Sequence, residues 1–233
     1  MDCRLHHQGI VFLLLALLAS CTAAAQSGQN WRDSLYALNR QIDATKTWDT
    51  DLHLRKAAVN LELQQWQYAI DEYSLVLAHQ VQNPAALFYR GYAATHLRRY
   101  EAARHDYETF LSLFPHHAEA RLSLSYVLQQ LGRKTEALDQ LNLVVEIQPD
   151  SAVSYVSRAA LEQDLQQYDA ALYDWQQAIT LQPLNADYVV SRVDLLLRLR
   201  RNDEARRDLD AAVQRGIPQG LLRPYYRRLR RQK

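Results

Sequence analysis

From Trp31 onward, stretches with an apolar residue every three or four positions alternate with short polar breaks, and the whole alternation recurs every 34 residues. Alanine marks the period at Ala69, Ala103, Ala137, Ala171 and Ala205, and proline at Pro115, Pro149 and Pro183. The period divides the chain without insertions into five units, 50–83, 84–117, 118–151, 152–185 and 186–219. Each unit holds two stretches of helical periodicity separated by a polar turn such as Arg98-Arg99 or Gly132-Arg133, and the second stretch closes at or near the proline. That pattern predicts a helix hairpin, because proline cannot continue a helical hydrogen-bond ladder. The small alanine early in the second helix lets the two backbones approach closely. Tyr73, Tyr107, Leu141, Trp175 and Leu209, four residues later, fill the next turn of the same face. The fold class expected is all-α.

These residues resemble the tetratricopeptide repeat. In the second unit Leu87, Gly91 and Ala94 match the first-helix pattern of that family, and Tyr100, Ala103, Tyr107 and Pro115 match its second helix. The fourth unit matches through Tyr155, Tyr168, Ala171, Trp175 and Pro183. The resemblance implies a right-handed helical solenoid. The first and last units depart from the pattern, with Val81 and Ile217 where the proline stands elsewhere, as terminal repeats with one face toward water commonly do. In this family the first helices line a concave groove that binds extended peptides or partner helices. Carried onto this chain, the groove includes Phe88, Tyr89, Tyr92, His96, Tyr126 and Gln130. Tyr89 and Tyr92 lie one turn apart and Tyr126 repeats Tyr92 after 34 residues, so their rings are expected either to form one stacking surface or to fill the space between hairpins. The lysine and asparagine of the chaperone-binding subgroup are replaced by Phe88 and Tyr92, which argues against capture of a chaperone's terminal carboxylate.

A comparison among the units predicts contacts across each hairpin. Lys56, Arg90, Leu124, Arg158 and Arg192 share one place in the first helix, and Glu72, Asp106, Gln140, Asp174 and Asp208 share one in the second. The unit that lacks the cation also lacks the acid, so these side chains are expected to meet.

Two segments flank the repeats. In 31–49, Trp31, Leu35, Leu38 and Ile42 form one apolar helical stripe, expected to cap the first hairpin or to dock a partner. The segment 220–233 holds Arg223, Arg227, Arg228, Arg230, Arg231 and Lys233 with no acid, in a chain whose net charge is only +1. The remainder therefore stands at −5, and the basic helix is expected either to pack on the fifth hairpin or to meet an acidic partner.

At the amino end, Arg4 precedes an apolar run from Ile10 to Ala19, which as a helix is too short for a hydrocarbon core of roughly 30 Å and reads as a signal peptide over 1–20. Its end, Leu18-Ala19-Ser20-Cys21, resembles the bacterial lipobox. That resemblance implies lipidation (palmitate among the acyl chains) at Cys21, and Thr22 in place of aspartate implies an outer-membrane, periplasm-facing site. Cleavage after Ala23-Ala24-Ala25 is the alternative and leaves a soluble periplasmic or secreted protein. Residues 21–30 read as a flexible tether.

With 48% hydrophobic residues and six each of glycine and proline, the chain is neither disordered nor collagen-like, and with only Cys3 and Cys21 it has no disulfide framework for its body. Isolated glycines exclude a phosphate-binding loop, and no H-E-x-x-H, G-x-S-x-G or paired-cysteine motif occurs. His116-His117 and His105 read as exposed polar residues. The expectation is a non-catalytic, membrane-anchored interaction scaffold of the cell envelope, without cofactor, metal or nucleic acid. Its partner is an envelope protein or peptide. The alternatives are a periplasmic receptor for a peptide or small ligand and a regulatory subunit of an envelope hydrolase.

Overall fold

The computed structural model describes residues 28–232, and the expectations for the signal peptide, Cys21 and most of the tether lie outside them. Among the described residues the secondary structure is entirely helical. Helix α1 spans 28–44. It is followed by α2 (Thr50–Glu62), α3 (Trp66–His79), α4 (Pro84–His96), α5 (Tyr100–Leu113), α6 (Ala118–Gln130), α7 (Lys134–Ile147), α8 (Ala152–Asp164), α9 (Tyr168–Leu181), α10 (Ala186–Arg198), α11 (Asn202–Gln214) and α12 (Gln219–Arg231). The fold class is the helix-hairpin repeat expected. No described helix is long and apolar enough to cross a membrane. The chain divides within α5 into two compact units, one ending at Phe110 and the other beginning at Leu111.

In the first unit, α1 lies on the first hairpin through Leu35, Leu38 and Ile42, which pack with Leu52, Val59 and Leu63. This is the capping role expected of the stripe. The helix starts earlier than expected, so residues 28–30, read as the end of the tether, are helical. Gln29 supports that extra turn by donating to Asp33 at 3.0 Å. Ahead of α2, the Trp48 ring is held between His53 and His79, with centroids 4.1 and 3.8 Å away. Ala69 and Ala103 are fully buried and Tyr73 and Tyr107 nearly so. Gly91 admits Tyr107, since a Cβ there would stand 3.2 Å from the ring.

In the second unit, Ala137, Ala171 and Ala205 are likewise fully buried, with Leu141, Trp175 and Leu209 beneath them. The last hairpins share one core, which α12 completes with Leu222 and Leu229 beside Leu195, Leu209 and Ile217.

The cross-hairpin pairs form. Lys56 meets Glu72 at 2.6 Å, Arg90 binds Asp106 through two hydrogen bonds of 2.8 and 2.6 Å, and Arg158 binds Asp174 through two of 2.6 and 2.8 Å. Arg192 pairs with Asp208. In the unit without the pair, Arg121 donates instead to Gln140 at 2.6 Å. The cations also reach the preceding hairpin: Arg90 donates to Ser74 and Arg158 to Asn142, each at 3.2 Å, and Arg192 donates to the carbonyl of Leu172 at 3.1 Å. Each guanidinium thus ties three helices together.

Candidate functional site

Helix α4 carries four of the residues expected to line a groove, and its 100° step per residue gives them different fates. Phe88 points into its own hairpin, with ring centroids 5.8 Å from Tyr107 and 5.4 Å from Phe110. Phe88 thus packs within its hairpin while remaining partly exposed. Tyr89 remains 44% exposed; it meets Phe88 edge-on at 5.2 Å and lies nearly parallel to Tyr73 at 6.2 Å. Tyr92 is 41% exposed and sits edge-on to Trp66 and His96, at 6.0 and 4.6 Å. His96 stacks on Trp66 at 4.0 Å, with the rings within 2° of parallel.

Tyr89 and Tyr92 thus belong to two aromatic clusters, one built on Tyr73 and Phe88 and the other on Trp66 and His96. Trp66, the first residue of α3, is the participant that sequence reasoning missed. Second-helix residues were assigned to packing, and nothing in the spacing places Trp66 beside α4. Tyr89 and Tyr92 are each held against neighbouring rings, which restricts their rotamers in advance of any contact. The aromatic face offers apolar area together with hydroxyl tips. Burial pushes the Tyr73 phenol above its ordinary range, with the Tyr89 phenol adding to the effect, so the supporting ring stays neutral.

In the second unit, Tyr126 is 49% exposed and Gln130 is exposed one turn later on α6. His117, read from sequence as an exposed turn residue, is the N-cap of α6, where Nδ1 accepts from the Ala120 backbone N–H at 3.2 Å. Asp49, Asn83 and Asn185 cap α2, α4 and α10 in the same way. His105 is exposed. Among the described residues no group of three or more His, Cys, Asp or Glu side chains is placed to hold a metal ion.

The apolar side of α12 packs on the fifth hairpin, as one of the two expectations had it. Its Arg228 pairs with Asp194 of α10 and lies 5.9 Å from the centroid of the Tyr225 ring. Arg223, Arg227, Arg230 and Arg231 remain exposed.

Residues 96–152 and 157–220 match the sequence profile of the tetratricopeptide repeat. Among solved structures, MamA (residues 41 to the end) from Desulfovibrio magneticus RS-1 is 21% identical, with a TM-score of 0.64 over 71% of this chain and 93% of that one. A tetratricopeptide repeat protein from Parabacteroides merdae ATCC 43184 is 22% identical, with a TM-score of 0.63 over 84% of this chain and 80% of that one. YrrB, described as a TPR protein with an unusual peptide-binding site, is 18% identical, with a TM-score of 0.63 over 76% of this chain and 91% of that one. No curated protein matches the chain.

Proposed function

Since the chain belongs to the tetratricopeptide repeat family, we propose that it is a non-catalytic scaffold that holds a partner protein, in the form of an extended peptide or a helix, against the first helices of its hairpins. The observation that carries this reading is the pair Tyr89 and Tyr92 one turn apart on α4. They stay 44% and 41% exposed while Tyr73 and Phe88 brace the one and Trp66 and His96 the other. Rigid aromatics with a polar tip lose little conformational freedom on binding and serve as anchors in protein interfaces. YrrB provides a precedent for peptide capture on this fold.

The same proposal places the protein on the periplasmic side of a bacterial outer membrane, anchored through acyl chains on Cys21. It rests on the sequence Leu18-Ala19-Ser20-Cys21-Thr22. Two or three acyl chains hold a protein stably to a bilayer where one does not. Cys21→Ala is expected to release the protein from floated membranes; a variant that still floats with them would remove the anchor from the proposal.

The test of the binding face is Tyr89→Ala combined with Tyr92→Ala. Cross-linking in intact cells should recover the partner with the parent chain and lose at least about three-quarters of it with the variant. Helical content should match the parent, because alanine favours the helix and neither side chain is buried. Full recovery with a folded variant would reject α4 as the binding face.

A further inference from the structure

The face of α12 turned away from the core and the neighbouring turns of α11 enclose a groove of about 450 Å³ lined by Arg206, Asp210, Gln219, Arg223, Tyr226 and Arg230. The α12 residues at 219, 223, 226 and 230 follow one another at helical spacing along a single stripe. Arg206 faces them from the other side. None of Arg206, Arg223 and Arg230 pairs with an acid among the described residues, although Arg158, Arg192, Arg198, Arg201 and Arg228 of the same unit all do. Arg227 and Arg231 extend the exposed cationic face, so like charges stand four residues apart along the helix. That arrangement is mildly destabilising in an isolated helix. The helix dipole offsets part of this for residues in the last turn, but not for Arg223 near the start of α12 or for Arg206 on α11.

The groove is not uniformly basic. Asp210 accepts the Tyr226 hydroxyl at 2.6 Å through one carboxylate oxygen, which leaves the other oxygen to accept from a further donor. A cleft with guanidinium forks on both walls and a single fixed acceptor between them suits a ligand that carries both carboxylates and N–H groups. Guanidinium groups bind carboxylates through paired hydrogen bonds. A peptide with acidic side chains has both functions at fixed spacing along one chain, whereas inorganic phosphate has no N–H group to offer Asp210. Insertion of α12 into a bilayer interface would draw on its apolar side, and Leu222 and Leu229 of that side are buried in the core.

We propose that the α11–α12 groove is a second binding site, separate from the aromatic surface of α4, and that its ligand is an acidic peptide segment of a partner protein. The site shares no lining residue with the α4 surface, so Tyr89→Ala with Tyr92→Ala leaves its lining unchanged.

Fluorescence anisotropy of a labelled hexaglutamate peptide with the purified full-length chain tests the site, with a hexaglutamine peptide as the uncharged control. The acidic peptide should bind and the control should not. Arg223→Gln with Arg230→Gln should weaken binding at least about tenfold, and Arg206→Gln should weaken it from the opposite wall. Arg207→Gln with Arg215→Gln removes the same charge outside the groove and should change affinity less than about threefold. All of these are exposed positions, where substitutions change stability little, so thermal unfolding should stay near that of the parent. Equal weakening by the two double variants would overturn the proposal, because binding would then reflect net charge alone. Displacement of the peptide by inorganic phosphate at matched ionic strength would also overturn it. So would a dependence on Arg223 and Arg230 that appears with phosphatidylglycerol vesicles, relative to phosphatidylcholine vesicles, and not with the peptide.

Discussion

Glu162 is the buried acid without a full set of partners. It stands in α8 where Asn60, Ala94, Leu128 and Leu196 occupy the matching place in the other hairpins, and it is 7% exposed. Its Oε1 lies 3.9 Å from Arg158, and its Oε2 has no hydrogen-bond partner. Burial first, and then the charge of Asp174, pushes its carboxyl up to about 7, with Arg158 opposing the shift. The folded protein therefore favours the protonated acid more than the unfolded chain does. The stability this confers is complete below the ordinary glutamate range near 4.5 and is lost as pH rises through about 7. Glu162→Gln should raise the urea midpoint at pH 8, leave it nearly unchanged at pH 4.5, and flatten the slope between. A lower midpoint at pH 8 would show that the ionised form is stabilised in the fold. The neighbouring pair makes a second case. Arg158→Ala strands Asp174, which is 1% exposed, and should cost about 3–5 kcal/mol. Arg158→Leu with Asp174→Gln, the combination found at Leu124 and Gln140, should cost less in the same denaturation experiment. The pair was legible because five aligned units supply an internal comparison of cation against acid. Glu162 was not, since it is the one acid at its repeat position, beside Asn60, Ala94, Leu128 and Leu196, and no second place varies with it.

Helix limits were legible wherever proline or a polar break interrupts the periodicity, and helices α5, α7 and α9 each end two residues before a proline. What the periodicity hides is how the hairpins turn. Gln64, Arg98, Gly132, Gln166 and Arg200, one per hairpin, all have positive φ between 55° and 76°. Only Gly132 announces that conformation, because a left-handed residue costs about 1–2 kcal/mol, little enough for the packing of a hairpin to impose it on glutamine or arginine. Gln166→Gly should accordingly stabilise the protein by about 0.5–1 kcal/mol, the relief of strain exceeding the entropic cost of glycine, and Gly132→Ala should destabilise it by about 1 kcal/mol. Thermal denaturation of the two variants checks both signs. The caps follow the same period, and Asn83→Ala, which removes the acceptor 3.0 Å from the Ala86 N–H, should cost about 1 kcal/mol. The aromatic surface was legible in part. Tyr89, Tyr92 and Tyr126 are exposed, while Phe88, one residue away, is half-buried against Tyr107 and Phe110, and Trp66 enters from the second helix of the preceding hairpin.

At the scale of the whole chain, the consequence of building from repeats is that stability is assembled from neighbouring contacts rather than from one central core. The apolar cluster that seats α1, made of Leu38, Leu52 and Val59, shares no residue with the cluster completed by α12, which contains Leu222 and Leu229. The two ends also differ in strength. Helix α1 buries Leu38 and only partly buries Leu35 and Ile42, whereas α12 closes an extended core that runs through α9, α10 and α11. Truncating a buried leucine to alanine costs about 2–5 kcal/mol, depending on how far the surroundings collapse. For α1 that loss approaches everything that holds the helix down, so Leu38→Ala should release it locally. Hydrogen–deuterium exchange should then show faster uptake across 28–44 with unchanged protection across 186–231. Leu222→Ala should do the converse, accelerating exchange in α12 and the outer face of α10 while α1 and α2 keep their protection. If the two substitutions act on separate clusters, their effects on global unfolding add to within about 0.5 kcal/mol. Acceleration of both ends by either substitution would show instead that the repeats unfold as one cooperative body. In that case a partner seated on α4 would be energetically linked to one seated between α11 and α12.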